Sequence, residues 1–174
     1  YCRPEQILVG AGSEYLLMLL SQLIGRSTGI ALENPTYKQA FRVFESLGHP
    51  IFPVSMDEWG MKVKELEKTQ ARIAYVMPSH QYPTGIVIPI KRRQELLKWA
   101  KKQEGRYLIE DDYDSEFRYK GRPIPALQGN DTEGKVIYLG TFSRAIAPSI
   151  RISYMVLPET LLPAYEENGR CFSA

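Results

Sequence analysis

Two segments of this chain concentrate side chains suited to binding a charged ligand. The segment 109–116 reads Ile-Glu-Asp-Asp-Tyr-Asp-Ser-Glu, so that five acidic residues directly follow a short apolar run. A carboxylate that is buried is costly unless a cation meets it. These acids therefore indicate a site for a protonated ring nitrogen or for a hard cation such as magnesium. A solvated acidic turn is the alternative.

The segment 139–151 offers hydroxyl and guanidinium groups after another apolar run. Its polar side chains include those of Thr141, Ser143, Arg144 and Arg151. Hydroxyls together with a bidentate arginine are the groups that a phosphate monoester needs. The segment therefore indicates a phosphate site, and the alternative is a capped turn whose arginines lie on the surface.

Two further loops add weaker signals of the same kind. The turn at 10–14, Gly-Ala-Gly-Ser-Glu, opens a helix, where backbone N–H groups and the Ser13 hydroxyl can face an anion. A glycine turn with a serine cap is also an ordinary structural feature. Tyr37 can lie flat on a planar ligand, or it can pack into the core behind a helix cap at Asn34 or Thr36.

The loop 77–85 is rich in hydrogen-bonding side chains and contains two prolines and a glycine, which prevent it from extending a strand. His80 lies within it. Because no partner residue stands at a recognisable spacing, we expect His80 to be a local hydrogen-bonding residue rather than an acid or a base.

The elements that must position these loops alternate between short apolar runs and longer amphipathic stretches. Strands are predicted at 7–9, 29–32, 51–54, 71–77, 107–109, 136–139 and 152–157, and helices at 14–24, 37–47, 63–68 and 90–103. This order predicts an α/β fold, a mainly parallel sheet with helices on both faces. Ligands of such sheets bind outside the carboxyl ends of the strands, which is where these loops fall.

Composition limits the classes of partner. The 174 residues carry a formal net charge of +2 without any block of like charge, so we expect one domain, with no nucleic-acid or membrane contact by this segment itself. Cys2 and Cys171 lack metal-ligand spacing, and no signal sequence or apolar span is evident. We therefore expect no metal site and a cytoplasmic location. A chain that starts at Tyr1 and stops after a helical stretch indicates a fragment of a longer protein.

Together, the order and spacing of these loops resemble the large domain of fold-type-I pyridoxal 5'-phosphate (PLP) enzymes of aminotransferase class I and II, over about residues 6–158. Within that superfamily, segments 78–85 and 110–117 resemble the MocR-type transcriptional regulators of the GntR family. In those regulators, an aminotransferase-like domain follows a winged-helix DNA-binding domain. The resemblance implies PLP as cofactor, a homodimer of the parent protein, and the absence here of the DNA-binding and small domains.

The resemblance also implies a role for individual residues. Asp111 matches the residue that pairs with the pyridinium nitrogen and keeps it protonated. Tyr37 matches the residue that stacks on the ring, and Tyr113 the one bonded to its phenolic oxygen. The positions that match phosphate ligands are Ser13, Glu14, Thr141, Ser143 and Arg151. Family members carry a neutral Gln where this chain has Glu14, which places a carboxylate beside the phosphate.

Arg144 is the main departure, because it stands at the position of the Schiff-base lysine. A guanidinium stays protonated near neutral pH and is a poor nucleophile, so covalent capture of PLP is not expected. The same lysine shuttles the proton in transamination, so both duties are lost together. Any PLP is expected to be held without a covalent bond.

Three hypotheses follow. The first is a domain of a MocR-type regulator that senses an effector, dimerises and recognises PLP or an amino-acid adduct of it, with little or no catalysis. The second is an aminotransferase, which transfers an amino group between an amino acid and a 2-oxo acid, whose lysine has been replaced. The third is a degenerate PLP fold kept only as a structural and dimerisation module.

Overall fold

A computed structural model describes residues 2–114, 124–142 and 151–168 of the chain. The predicted site residues Ser143 and Arg144, and positions 115–117 of the acidic motif, lie outside the described residues. So does Cys171, whereas Cys2 is an exposed free thiol. In the part of the chain that is described, no helix is both long and apolar enough to cross a lipid bilayer.

The described elements alternate along the chain as strands and helices. The strands are β1 (Ile7–Gly10), β2 (Ile30–Asn34), β3 (Ile51–Asp57), β4 (Gly60–Met61), β5 (Ile73–Val76), β6 (Tyr107–Asp112), β7 (Val136–Thr141) and β8 (Ser153–Val156). The helices are α1 (Ser13–Ile24), α2 (Lys38–Ser46), α3 (Val63–Leu66), α4 (Ile90–Lys101) and α5 (Leu162–Asn168), with 3-10 turns at Pro4–Gln6, Gln128–Asn130 and Glu159–Leu161.

The eight strands form one sheet in the order β1-β8-β7-β6-β5-β2-β3-β4. The central strands, from β3 through β2, β5 and β6 to β7, are parallel. Strand β8 runs antiparallel to both β1 and β7, and β4 runs antiparallel to β3. The prediction of a mainly parallel α/β sheet is therefore confirmed, and the exceptions lie toward its two edges.

Alternate residues of the central strands pack into two separate cores, one on each face of the sheet. On β5, Ile73 and Tyr75 join the core formed with α1 and α2, whereas Ala74 and Val76 join the core formed with α3 and α4. A strand covered on both faces is apolar along its whole length, which explains the continuous run Ile-Ala-Tyr-Val. Helices cover both faces, as predicted.

The acidic segment is where the predicted and observed elements differ most. The sequence places Glu110, Asp111 and Asp112 in a loop, but they are the last residues of β6 and are buried. The alternative of a solvated acidic turn is therefore wrong for these three residues. The Glu110 carboxylate accepts the backbone N–H groups of Leu127, at 2.8 Å, and of Gln128, at 2.9 Å. These partners lie far along the chain, so local pattern does not reveal them.

The start of α2 also differs from the cap suggested by the sequence. Asn34 is the last residue of β2, and Tyr37 is the N-cap residue of α2, without a side-chain capping hydrogen bond. Thr36 makes no capping bond either, since its hydroxyl is buried without a hydrogen-bond partner. The loop 34–37 is instead held by tertiary contacts.

Candidate functional site

A cavity of about 420 Å³ opens at the carboxyl edge of the central strands. Its volume falls within the range of about 300–1,000 Å³ that is usual for sites of small molecules and cofactors. Every predicted site residue in the described part of the chain lines it, namely Ser13, Glu14, Tyr37, Asp111, Tyr113, Thr141 and Arg151. Gly12, Met77, Tyr82 and Ser153 complete the lining.

The direction of β8 explains how distant segments meet in this cavity. The loops after β1, β2, β5, β6 and β7 gather at one edge because parallel strands end on the same side. Since β8 is antiparallel, its first residue, Ser153, pairs with Gly10 at the end of β1 and with Thr141 at the end of β7. Arg151, two residues earlier, therefore lies at the same edge as the turn that begins α1.

Asp111 forms the acidic part of the cavity. Its side chain is almost fully buried and accepts a hydrogen bond from the hydroxyl of Tyr75. Burial raises the pKa of Asp111 to about 6, against the lowering effect of that hydrogen bond, and the charge of Asp112 adds to the increase. At neutral pH Asp111 is mainly a carboxylate in a poorly solvated place, so a cation placed against it is stabilised.

The Tyr113 ring stacks against the ring of His80. The two rings stack with centroids 6.2 Å apart and planes inclined by 23°, and Nδ1 of His80 lies 2.8 Å from Oδ2 of the buried Asp114. His80 therefore acts as a local hydrogen-bonding residue, as the sequence suggests. Its contact fixes one face of the Tyr113 ring beside the cavity.

Tyr37 contributes a half-buried aromatic ring and meets Tyr82 edge to face, with centroids 6.0 Å apart. Burial raises the pKa of its phenol, and the charges of Glu14 and Asp111 add to this increase. The loops that carry the two tyrosines are joined by Gln81, whose Nε2 donates to the carbonyl of Pro35 at 2.9 Å. Because Gln81 is fully buried, this hydrogen bond holds the two loops together.

The first turn of α1 faces the guanidinium of Arg151. Gly12 has φ of 103°, and a Cβ built on it would lie 2.8 Å from Nη2 of Arg151. Only glycine combines this backbone with so close an approach. Arg151 Nη2 donates to Oε2 of Glu14 at 2.9 Å. Within the described residues, the positive groups of this part of the cavity are thus the helix N-terminus and a guanidinium already paired with an acid.

Ser153 gives a further sign of a polar ligand. The residue lines the cavity, and its buried hydroxyl has no hydrogen-bond partner in the described structure. A buried hydroxyl without a partner costs free energy, so a polar group bound in the cavity would relieve that cost. The Thr141 hydroxyl lies on the neighbouring strand, in register with Ser153.

The donors and acceptors of the cavity fit the two polar parts of PLP. The helix N-terminus, Ser13, Thr141 and Arg151 are groups that bind a phosphate, and Asp111 is the acceptor that a protonated pyridine nitrogen needs. The competing interpretation of the acidic segment was a magnesium site. Among the residues that the structure describes, no three His, Cys, Asp or Glu side chains are grouped to hold a metal ion.

Several residues of this cavity were not identified from the sequence as site residues. Tyr75, which lies behind the lining and donates to Asp111, was not identified either, because its place on the face of Asp111 depends on the pairing of β5 with β6. Tyr82 and Met77 lie in a loop that the sequence marks as polar but does not assign. Ser153 had no local signal, since its place depends on the direction of β8.

Comparison with known proteins gives consistent results. The family model for aminotransferase class I and II matches residues 2–172. The uncharacterized HTH-type transcriptional regulator YdeL of Bacillus subtilis is 45% identical over 93% of this chain and 35% of its own length. The probable rhizopine catabolism regulatory protein MocR of Rhizobium meliloti is 34% identical over 95% of this chain and 34% of its own.

Among solved structures, the kynurenine aminotransferase of Pyrococcus horikoshii matches with a TM-score of 0.83 and 30% identity, over 93% of this chain and 44% of that chain. The chain spans about a third of the length of the two curated regulators. Fold, cavity and family match agree, and the resemblance noted in the sequence is confirmed at the level of the family: the chain belongs to the aminotransferase class I and II family.

Proposed function

We propose that this chain is the PLP-binding, effector-sensing domain of a MocR-type transcriptional regulator. The observation that carries the proposal is the meeting of Asp111, Tyr37 and Arg151 in one cavity, three residues far apart in sequence that together suit a phosphorylated pyridinium ring. The similarity to HTH-type regulators along nearly the whole chain supports the regulatory assignment.

The proposed roles of the residues follow from their chemistry. The Asp111 carboxylate holds the proton on the ring nitrogen, while Tyr75 orients that carboxylate. Tyr37 stacks on the ring and Tyr113 bonds to its phenolic oxygen. The amides and hydroxyl at the start of α1 bind the phosphate together with Thr141, Ser143 and Arg151. When bound, PLP supplies an aldehyde conjugated to an electron-withdrawing ring.

Arg144 sets this site apart from a transaminase. A guanidinium cannot act as the amine nucleophile at neutral pH, so we propose that PLP, or an adduct of PLP with an amino-acid effector, is held without a covalent bond to the chain. Exchange of such a ligand is then governed by binding alone, which suits a sensor.

For the parent protein, we propose that residues 1–174 are part of the large domain of a cytoplasmic homodimer. DNA contact then belongs to a helix-turn-helix segment before Tyr1, and not to this domain. The gene that encodes the chain tests this directly, because a parent open reading frame without such a segment upstream would contradict the assignment.

An aminotransferase is the second candidate, favoured by the similarity to solved aminotransferases. It requires a lysine at position 144 in the parent protein. On this hypothesis Arg144→Lys restores amino-group transfer from an amino acid to added PLP, whereas a sensor domain with the same substitution binds PLP covalently but transfers no amino group.

Binding can be tested with pyridoxine 5'-phosphate, which has no aldehyde and therefore does not react with surface lysines. Isothermal titration calorimetry should show binding to the 174-residue chain and its loss in Asp111→Asn. With PLP itself, borohydride reduction followed by mass spectrometry should detect an adduct on residue 144 only in Arg144→Lys. If neither the wild-type chain nor Arg144→Lys bound a ligand, a vestigial module would be favoured and the proposal overturned.

A further inference from the structure

The pairing of Glu14 with Arg151 is the feature of the cavity that its proposed ligand does not explain. The Arg151 guanidinium lies at the first turn of α1, and its Nη2 donates a hydrogen bond to the Glu14 carboxylate at 2.9 Å. A phosphate needs that same guanidinium. In the structure, an anion that belongs to the chain already occupies it.

This ion pair lies directly against Gly12. The Cβ position of Gly12 lies 2.8 Å from Nη2 of Arg151 and 3.3 Å from Oε2 of Glu14. The pair therefore passes directly over the glycine that begins α1, where the backbone N–H groups of a helix attract anions. The Glu14 carboxylate therefore both covers the helix N-terminus and neutralises the guanidinium of Arg151.

Among the residues that the structure describes, the remaining lining groups of this part of the cavity add no positively charged side chain. Ser13, Thr141 and Ser153 supply hydroxyls, which are neutral. With Glu14 paired to Arg151, the two side chains carry no net charge together. A phosphate monoester has a charge of about −1.5 to −2 at neutral pH. It would therefore meet an ion pair without net charge, and the Glu14 carboxylate of that pair would repel it.

We propose that Glu14 is a specificity-determining residue that weakens binding of the phosphate group and makes the phosphorylated pyridine ligand exchangeable. The inference rests on the proposed function and deepens it, since it names the group that sets how strongly the site prefers phosphorylated over unphosphorylated ligands. The ligand must separate Glu14 from Arg151 or bind beside the pair, and either course lowers its affinity.

The test compares two ligands that differ only in the phosphate. Isothermal titration calorimetry measures the affinity of pyridoxine 5'-phosphate and of pyridoxine for the wild-type chain and for Glu14→Gln. Removal of the carboxylate frees a guanidinium that is mostly exposed and removes one close repulsion, both screened by solvent, so we expect about threefold to fivefold tighter binding of the phosphate ester. Affinity for pyridoxine should stay unchanged.

Two controls separate this effect from a general change of charge or stability. Glu45→Gln makes the same substitution at an exposed position on α2 outside the cavity, and it should bind both ligands as the wild type does. In the Arg151→Gln background, Glu14→Gln should increase affinity less than in the wild type, because no guanidinium is left to free and only the repulsion of the phosphate by the carboxylate is removed. Circular dichroism monitors whether each variant is folded.

The outcomes distinguish this inference from the proposed function. If the wild type binds pyridoxine 5'-phosphate and Glu14→Gln binds it no more tightly, the inference is overturned while the proposed function stands. An equal gain with Arg151→Gln present also overturns it. If neither the wild type nor Glu14→Gln binds either ligand, both are overturned.

Discussion

The hydrogen bond between Tyr75 and Asp111 should set the pH range in which the cavity binds a pyridinium ring. The Tyr75 hydroxyl donates to the Asp111 carboxylate, and both side chains are buried. This bond favours the ionised carboxylate against the burial that raises the pKa of Asp111 to about 6. Tyr75→Phe removes the donor and leaves the ring in its apolar surroundings.

The size of the effect follows from the energy of such a bond. A hydrogen bond to a charged group contributes about 1.5–3 kcal/mol, and one pKa unit corresponds to about 1.4 kcal/mol. The pKa of Asp111 should therefore rise by about one to two units in Tyr75→Phe. At pH 7 the carboxylate would then be at least half protonated, whereas in the wild type it is largely ionised, and affinity for the protonated ring should fall.

Calorimetric titration of pyridoxine 5'-phosphate across a pH series measures this shift. In the wild type, affinity should decline as pH falls through about 6, because protonated Asp111 no longer attracts the pyridinium. In Tyr75→Phe the same decline should begin about one to two units higher. The ligand's own phosphate and ring nitrogen titrate as well, but identically for every variant, so the difference between variants reports on the protein.

Tyr138→Phe is the matched control. The Tyr138 hydroxyl donates to Oδ2 of Asp112 at 2.7 Å, and Asp112 is not part of the cavity lining. Tyr138→Phe thus removes a tyrosine hydroxyl beside Asp112 instead of Asp111. The pH profile of binding should keep its wild-type midpoint. If Tyr75→Phe also kept that midpoint, or if both variants moved it equally, the assignment of Tyr75 as a positioning residue would fail.

Two further predictions concern the backbone and the buried acids. Glu33 is buried, and burial raises its pKa from 4.5 to about 8 against the lowering effect of the Gln81 side chain and the Met77 backbone. The folded chain thus keeps a proton that the unfolded chain has lost, and the free energy of unfolding should fall by up to about 1.4 kcal/mol per pH unit across that window. Glu33→Gln should remove this contribution in urea denaturation; a slope equal to that of the wild type would contradict it. Gly12→Ala and Gly25→Ala each place a Cβ on a backbone of positive φ, but only at Gly12 does the Cβ meet Arg151. Both variants should lose about 1–2 kcal/mol of stability, while only Gly12→Ala should lose affinity for pyridoxine 5'-phosphate in calorimetry; equal affinities would show that the contact is unimportant.

Much of the fold could be predicted because its signals are local. The run Ile73 to Val76 is apolar throughout, as a strand between two helical layers must be. Helix α4 has Leu96, Leu97 and Ala100 toward the sheet. The end of β6 could not be predicted in this way, because Glu110 is stabilised by the distant amides of residues 127 and 128.

The sequence by itself determined the chemical groups available to this protein and the order in which loops follow strands. It also determined that residue 144 is arginine, and a guanidinium is a poor nucleophile wherever it lies. The alternation of short apolar runs and amphipathic helices was enough to indicate a parallel α/β sheet, since each pattern depends on neighbouring residues alone.

Only the tertiary structure decided which of those groups meet. The direction of β8 brings Arg151 against Glu14, which lies 137 positions away, and the register of β5 with β6 puts Tyr75 on the same face as Asp111. Strand direction and register depend on pairing between distant segments and on the side chains packed across both faces. No local pattern encodes them, and so the electrostatics of the cavity became evident only in the folded chain.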